Sequence, residues 1–486
     1  MLTAILIFLP LLASVLVLAL KPAQARVAAL IIALAELVVS LVAYTQFNPA
    51  DTSAFSIATP WIAQLGINFN IGMDGTGLVL VLLATVLTPF IILSSFTGNT
   101  ERPALFYFLI LVMQAAMIGV FVAEDGFLFY IFWEMALIPI YFICLLWGGA
   151  QRVRVTLKFF IYTLAGSLFM LIGLIYLYLQ TPDEHSFSMQ ALYEAGKSLD
   201  AVSQSWVFWA LFVAFAIKMP VFPFHTWQPD TYFEAPAQGT MLLSGIMLKM
   251  GVFGVIRWLL PVVPQGVAQW SYVAVILSVI GVVYASFLAI VQKDIKRLIA
   301  YSSIAHVGLI SAGIFTQNSA AVQGAVIQMF SHGIIVFGLF YIVEIIQTRT
   351  GTTQIDELGG IRSVAPKLAT LFMVIMFGSV ALPFTSGFVG EFLLLNGLFQ
   401  YQPWLSAVAG LSVILGAIYM LNAYRKSTLG ETNTVTQSII DLSTVEKVVL
   451  IPLCLLIVVI GIYPAPLLDL SQTAAQNLLQ IVELYK

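Results

Sequence analysis

Residues 213–230 read VAFAIKMPVFPFHTWQPD. Lys218 ends an apolar run with no charge or side-chain amide in its second half, and Pro220 and Pro223 follow it closely. A proline lacks the backbone N–H and clashes with the preceding turn, so the helix that carries the lysine must break just beyond it. At membrane depth such a break is tolerated only where protein or a water-filled cavity satisfies the freed backbone groups. A lysine beside it therefore reads as a group on an internal polar path.

The rest of the chain supplies the membrane. Its 486 residues are 60% hydrophobic and 9% charged, with a mean hydropathy of +1.00, values foreign to soluble domains. Fourteen apolar spans are expected, at about 3–20, 26–46, 74–95, 103–122, 126–147, 155–179, 206–224, 237–262, 271–291, 296–316, 322–346, 367–400, 404–424 and 447–464, each able to cross about 30 Å of hydrocarbon. The first 25 residues end in an A-x-A pattern but lack a basic leader region, so they read as a first transmembrane helix. Net charge −3 says little about partners, and no nucleic acid is expected among them.

Basic residues test the count. Loops after odd-numbered spans hold Lys21, Arg26, Arg102, Arg152, Arg154, Lys158, Lys293, Lys296, Arg297, Arg349, Arg362, Lys367, Arg425, Lys426 and Lys447. The other side holds Lys197, Lys486 and Arg257, the last read as a snorkelling interface anchor. The asymmetry places both termini on the periplasmic side. The tail spaces Leu467, Leu470, Leu478, Ile481 and Val482 on one helical face, suited to the interface or to a partner.

Two spans are interrupted, the seventh after Lys218 and the twelfth in LPFTSGFVGEFL, with Pro383, Gly387 and Gly390 before Glu391. Paired breaks of this kind point to inverted repeats around an ion path. The chain then divides into 1–102, a first five-helix repeat at 103–262, a second at 263–425, and a last span with an amphipathic segment at 426–486.

Six ionisable residues stand out inside the spans: Glu134, Lys218, Lys249, His306, His332 and Glu391. A buried Lys or Asp costs about 2.5–3.5 kcal/mol at a helix centre on insertion scales, so six imply a shared polar interior. Burial disfavours the charged lysine and a nearby carboxylate favours it, so Glu134 approaching or leaving Lys218 could switch that lysine between holding and releasing a proton. Histidines accept on one ring nitrogen while donating from the other, which suits the middle of a relay. His225, Asp230 and Glu234 lie beyond the first break, as a loop or an access funnel. Cys144 and Cys454 sit in apolar stretches, and with no Cys cluster, GxGxxG or P-loop the chain is expected to bind no metal, nucleotide, flavin or iron–sulfur centre itself.

IFWEMALIPIYF, FAIKMPVFPFHTWQPD, GIMLKMGVFG, DIKRLIAYSSIAHVGL, AVIQMFSHGIIVFGLFY and GFVGEF resemble, in order and spacing, the antiporter-like proton-pumping subunits of respiratory complex I. INFNIGMDGTGL, with Asp74 and Gly75, is similar to the family's segment leading into the third span. The resemblance implies an all-α polytopic membrane fold of fourteen helices with two inverted five-helix repeats, each with a broken helix. It implies a proton-translocating place in the membrane arm of an NADH:quinone oxidoreductase in an energy-transducing membrane. Neighbouring antiporter-like subunits would be its partners, and NADH, FMN, iron–sulfur clusters and quinone would be held by other subunits. By motif, Glu134 is the acid partner of Lys218, Lys249 the bridging lysine, His306 and His332 the central relays, and Glu391 the distal proton site. Glu391 points to the branch of the family with glutamate where the sister subunits have lysine. HTWQPDTY departs from the family's usual HGWLPDAH, placing Gln228 and Tyr232 where leucine and histidine are usual. The alternatives are a subunit of a multisubunit cation/proton antiporter or of a proton-pumping membrane hydrogenase.

Overall fold

The computed structural model describes residues 1–98, 100–182 and 185–483, so Lys486 lies outside the described residues. The helices are α1 (Leu2–Leu18), α2 (Pro22–Gln46), α3 (Gly75–Ser94), α4 (Pro103–Val122), α5 (Gly126–Trp147), α6 (Arg152–Leu179) and α7 (Met189–Ser198). They continue with α8 (Ala201–Lys218), α9 (Gln228–Glu234), α10 (Ala237–Leu242), α11 (Leu248–Gly254), α12 (Pro264–Ile290), α13 (Ile295–Phe315) and α14 (Ser319–Thr350). The last are α15 (Ile361–Val364), α16 (Pro366–Ser379), α17 (Ser386–Tyr401), α18 (Pro403–Thr428), α19 (Thr444–Ile462) and α20 (Ala465–Glu483).

Many spans begin where a short polar side chain stands before an apolar run. Asp74 accepts from Gly77 N at the start of α3, Asp125 from Phe127 N and Leu128 N at α5, and Asp294 from Arg297 N at α13. Ser443 and Glu446 cap α19 reciprocally. Each cap satisfies backbone donors that the helix leaves unpaired at its first turn.

Among the described residues, 12 helical stretches are long and apolar enough to cross a membrane. The two expected spans outside that set are α1, 17 residues long, and the twelfth, which is made of α16 and α17. The centre is α14 and the α10–α11 stretch, buried almost throughout. The outer helices α2, α6, α18 and α19 instead expose apolar side chains such as Ile31, Ile172, Ile414 and Ile462. A bundle apolar both within and without is solvated by lipid.

Four features correct the expected outline. The seventh span ends at Lys218 rather than running to 224, because Pro220 cannot continue the helix. The eighth is not uniformly α-helical: π-helical turns at Leu243–Met247 and Val255–Leu259 flank α11. A small antiparallel hairpin of β1 (Ile57–Ile62) and β2 (Ile67–Ile71) precedes α3. The amphipathic tail forms α20 and packs on α3 and α14 of its own chain, burying Leu470, Leu478 and Val482.

The second break is closed by backbone contact. A Cβ at Gly387 would sit 2.2 Å from the Gly378 carbonyl oxygen, so the two halves of the broken span meet where no side chain fits. Gly387→Ala is expected to destabilise by about 1–3 kcal/mol, the usual range for overpacking. Gly410→Ala, where a Cβ meets nothing within 4 Å, serves as the neutral control. Thermal unfolding of the assembled protein, with both variants side by side, checks the difference.

Candidate functional site

Four of the six expected residues form a contiguous line. Lys249, on α11 and 1% exposed, places Nζ 2.5 Å from the Ser244 carbonyl and 2.9 Å from Nδ1 of His332. Ser244 belongs to the first π-helical turn, so the wide turn presents a carbonyl to the ammonium. The His332 ring, on α14, lies 5.8 Å from that of His306 on α13. His306 Nδ1 is 2.8 Å from Oε1 of Glu391, which the second break places in the first turns of α17. Gln328 Nε2 donates to the same carboxylate oxygen at 3.5 Å. A small internal cavity of about 10 Å³, lined by both histidines, Gln328, Ser302, Ser303 and Glu391, lies along this line. That is about the space one water needs, and its lining offers the polar partners a bridging water requires.

The other two residues form a second pocket. Lys218 ends α8, is 2% exposed, and its Nζ has no hydrogen-bond partner. It lies 4.8 Å from the ring centroid of Trp133, a cation–π contact. Trp133 precedes Glu134 on α5, whose Oε1 is also unpartnered. The expected acid–base pair is thus adjacent but makes no contact ion pair here; an aromatic face takes the place of the carboxylate. The break beyond Lys218 is satisfied locally, because the Trp227 indole donates to the Ile217 carbonyl at 2.9 Å. Helix α11 approaches this break closely, since a Cβ at Gly251 would lie 2.9 Å from Met219 N and Phe215 O. Lys218 and Lys249 therefore stand on helices in backbone contact.

The loop residues separate by role. His225 is 5% exposed and packs between Phe222 and Tyr284, its Nδ1 unpartnered. Asp230 is held by Lys158 at 3.2 Å and Arg297 at 3.1 Å, tying α9 to α6 and α13. Glu234 accepts from the Gln151 backbone N–H at 2.9 Å before α6. At the positions of departure, Gln228 and Tyr232 are both fully buried, and Gln228 donates to the Ala300 carbonyl at 3.4 Å.

Arg257 is not a snorkelling anchor. It turns inward to Asp74 at 2.7 Å, with its side chain 14% exposed. The residue spacing hid this, because the two partners are 183 positions apart. Gln328, Ser302 and Ser303 were also missed, although each pair 328/332 and 302/306 is one helical turn apart. Glu36, the single acid in the α2 run, is fully buried with both carboxylate oxygens unpartnered, and its charge in an apolar stretch was a readable signal. Among the described residues no group of three or more His, Cys, Asp or Glu side chains could hold a metal ion.

Residues 123–416 match the family described as NADH:quinone oxidoreductase/Mrp antiporter, transmembrane. The chain is 40% identical over 440 residues to NADH-quinone oxidoreductase subunit M of Rickettsia conorii, covering 90% of this chain and 88% of the relative. It is 38% identical over 449 residues to F(420)H(2) dehydrogenase subunit M of Methanosarcina mazei, covering 90% and 89%. A chain of respiratory complex I from Thermus thermophilus with bound NADH superposes with a TM-score of 0.90 at 30% identity, covering 98% of this chain and 100% of that one.

Proposed function

The chain belongs to the NADH:quinone oxidoreductase/Mrp antiporter transmembrane family, in its subunit M group, and from that premise we propose that it moves protons through a buried Glu/Lys/His relay driven by quinone reduction elsewhere in the complex. It is a membrane-arm subunit of the NADH:quinone oxidoreductase and works among other complex I subunits in the bilayer. NADH, FMN, iron–sulfur clusters and quinone are the business of other chains. Both termini face the periplasmic side, and the two broken spans belong to two inverted five-helix repeats, at 103–262 and 263–425.

The observation that carries this reading is the line Lys249, His332, His306, Glu391, each member in contact with or one small cavity from the next. Lys218 is the loading site. Unpaired from Glu134 and surrounded by apolar and aromatic groups, a lysine loses preference for its charge and is ready to give up a proton. When Glu134 approaches, the same lysine holds one. Lys249 then receives the proton from Lys218, and the two imidazoles pass it on toward Glu391, where the second break lets water and protein dipoles reach the carboxylate.

Glu134→Gln removes the switching charge while keeping side-chain size. It is expected to slow NADH-driven proton uptake by membrane vesicles about tenfold, equivalent to one pKa unit of lost coupling, with the complex still assembled and Glu134→Asp largely active. Unchanged NADH-driven uptake together with lost sodium-dependent proton exchange would instead assign the chain to a cation/proton antiporter.

A further inference from the structure

Away from the relay, a cavity of about 330 Å³ opens between the start of α3, the α4–α5 connection, α7, the segment after α11, and α20. It gathers charges that the relay does not use. Arg257 Nη1 is 2.7 Å from Asp74 Oδ2, and its Nη2 is 3.9 Å from Glu124 Oε1. The Tyr193 hydroxyl donates to the Arg257 carbonyl at 2.6 Å. Helix α20 roofs the space with Asn477 and contributes no ionisable group to its lining. It lies directly on α3, where a Cβ at Gly75 would be 1.6 Å from the Leu470 carbonyl oxygen.

Two carboxylates face one guanidinium, so the cavity repels anions and receives cations, of which the proton is the smallest. The carboxylates are not equivalent. Asp74 is committed, capping α3 with Oδ1 and accepting from Arg257 with Oδ2. Glu124 has only the longer contact to Arg257, and its carboxyl rests against Gly72, where a Cβ would come within 2.2 Å. Burial holds the Glu124 carboxyl above the ordinary carboxylate range; Arg257 pulls it down and the Asp74 charge pushes it up again.

The cavity and the relay meet on α11, which carries both Lys249 and Phe253. Lys249 and Phe253 stand four residues apart on α11, about 6 Å along the helix axis and on one side of it; Arg257 follows within the second π-helical turn. Phe253 lines the cavity, packs edge-on against Phe121 at 5.6 Å, and lies 5.8 Å from the Arg257 guanidinium. Phe253, one turn beyond Lys249 on α11, thus stands at the inner edge of the charged space. By the basic-residue asymmetry, Asp74, Glu124, Tyr193, Arg257 and α20 all follow even-numbered spans and share the periplasmic side.

We propose that this cavity is a proton-release vestibule of the chain, a branch that leaves the line to Glu391 at Lys249, in which Glu124 accepts a proton past Phe253 and passes it to the periplasmic side. The proposal rests on the proton-translocating reading above. The step is a proton transfer alone: Lys249 loses its proton, the Glu124 carboxylate gains it, and water on the far side takes it from the acid. Arg257 holds Glu124 ready to lose the proton again, and Asp74 holds Arg257.

The test is NADH-driven proton accumulation in inverted vesicles containing the assembled complex. Glu124→Gln is expected to lower it about 10²-fold, the low end of the range for loss of a positioned proton-transfer group, and Glu124→Asp to restore most of it. As a second approach that leaves the charges in place, Asn477→Cys is alkylated after assembly with a bulky maleimide, wild-type complex being treated in parallel. Blocking the vestibule is expected to reduce accumulation severalfold. Normal accumulation in Glu124→Gln, or in the alkylated Asn477→Cys complex, while Lys218→Ala is inactive, overturns the vestibule and leaves the relay standing. Normal accumulation in Lys218→Ala as well overturns the relay reading itself.

Discussion

Lys218→Ala is expected to lower NADH-driven proton uptake roughly 10²-fold or more in a complex that still assembles, the scale of losing a positioned proton-transfer group. The side chain is buried, its Nζ makes no hydrogen bond, and its charge faces the Trp133 ring. Removing it therefore breaks no hydrogen bond, and the buried charge it carried goes with it. Lys218 is also the single ionisable group of α8, so no neighbour on that helix can substitute. Turnover of NADH with quinone is expected to fall together with proton uptake, because a redox-driven pump slows when its load cannot move. Assembly is read on the same membranes. An assembled Lys218→Ala complex that still accumulates protons would remove this lysine from the path.

His332→Gln is expected to cut proton uptake about 10²-fold, the low end of the range for a lost proton carrier. Glutamine can still accept a hydrogen bond from Lys249, now 2.9 Å from Nδ1 of the histidine. It cannot bind a proton on one atom and release another from a second, which is what imidazole adds. The substitution therefore separates packing from transfer: if His332 only satisfied Lys249, the glutamine variant would pump normally. Reaction of the variant is followed as proton uptake against NADH oxidation, with thermal unfolding of the complex confirming that stability is unchanged.

Much of this architecture is legible in the sequence because lipid makes two signals strong. Long apolar runs announce spans, and a charge within one is rare enough to count individually, which is how Lys218, Lys249 and Glu391 stand out. Helix breaks are legible at Pro220 and Pro383 because proline acts on its own turn. Contacts are less legible. That Lys218 meets the Trp133 ring and not the Glu134 carboxylate, or that His306 reaches Glu391, depends on how α5, α8, α13 and α17 rotate against one another, and no local pattern records those rotations. Arg257 illustrates the limit: near a span end, hydropathy cannot tell an arginine reaching for headgroups from one turned inward to Asp74. Glu36 is legible by the same rule as the other buried charges, as the single acid of its apolar run.

The π-helical turns have no sequence signature, yet they change what α11 is mechanically. Each holds one residue more than an α-helical turn of the same height would, and they bracket the seven residues Leu248–Gly254. A surplus residue is a dislocation in the helical winding, and a dislocation can glide: as it passes a residue, that residue turns by roughly 100° and shifts about 1.5 Å while both ends of the span stay fixed. Lys249 is the second residue of the bracketed segment, next to the upper dislocation. The ammonium thus stands beside slack stored in the backbone, through which it can be re-aimed without unfolding the span.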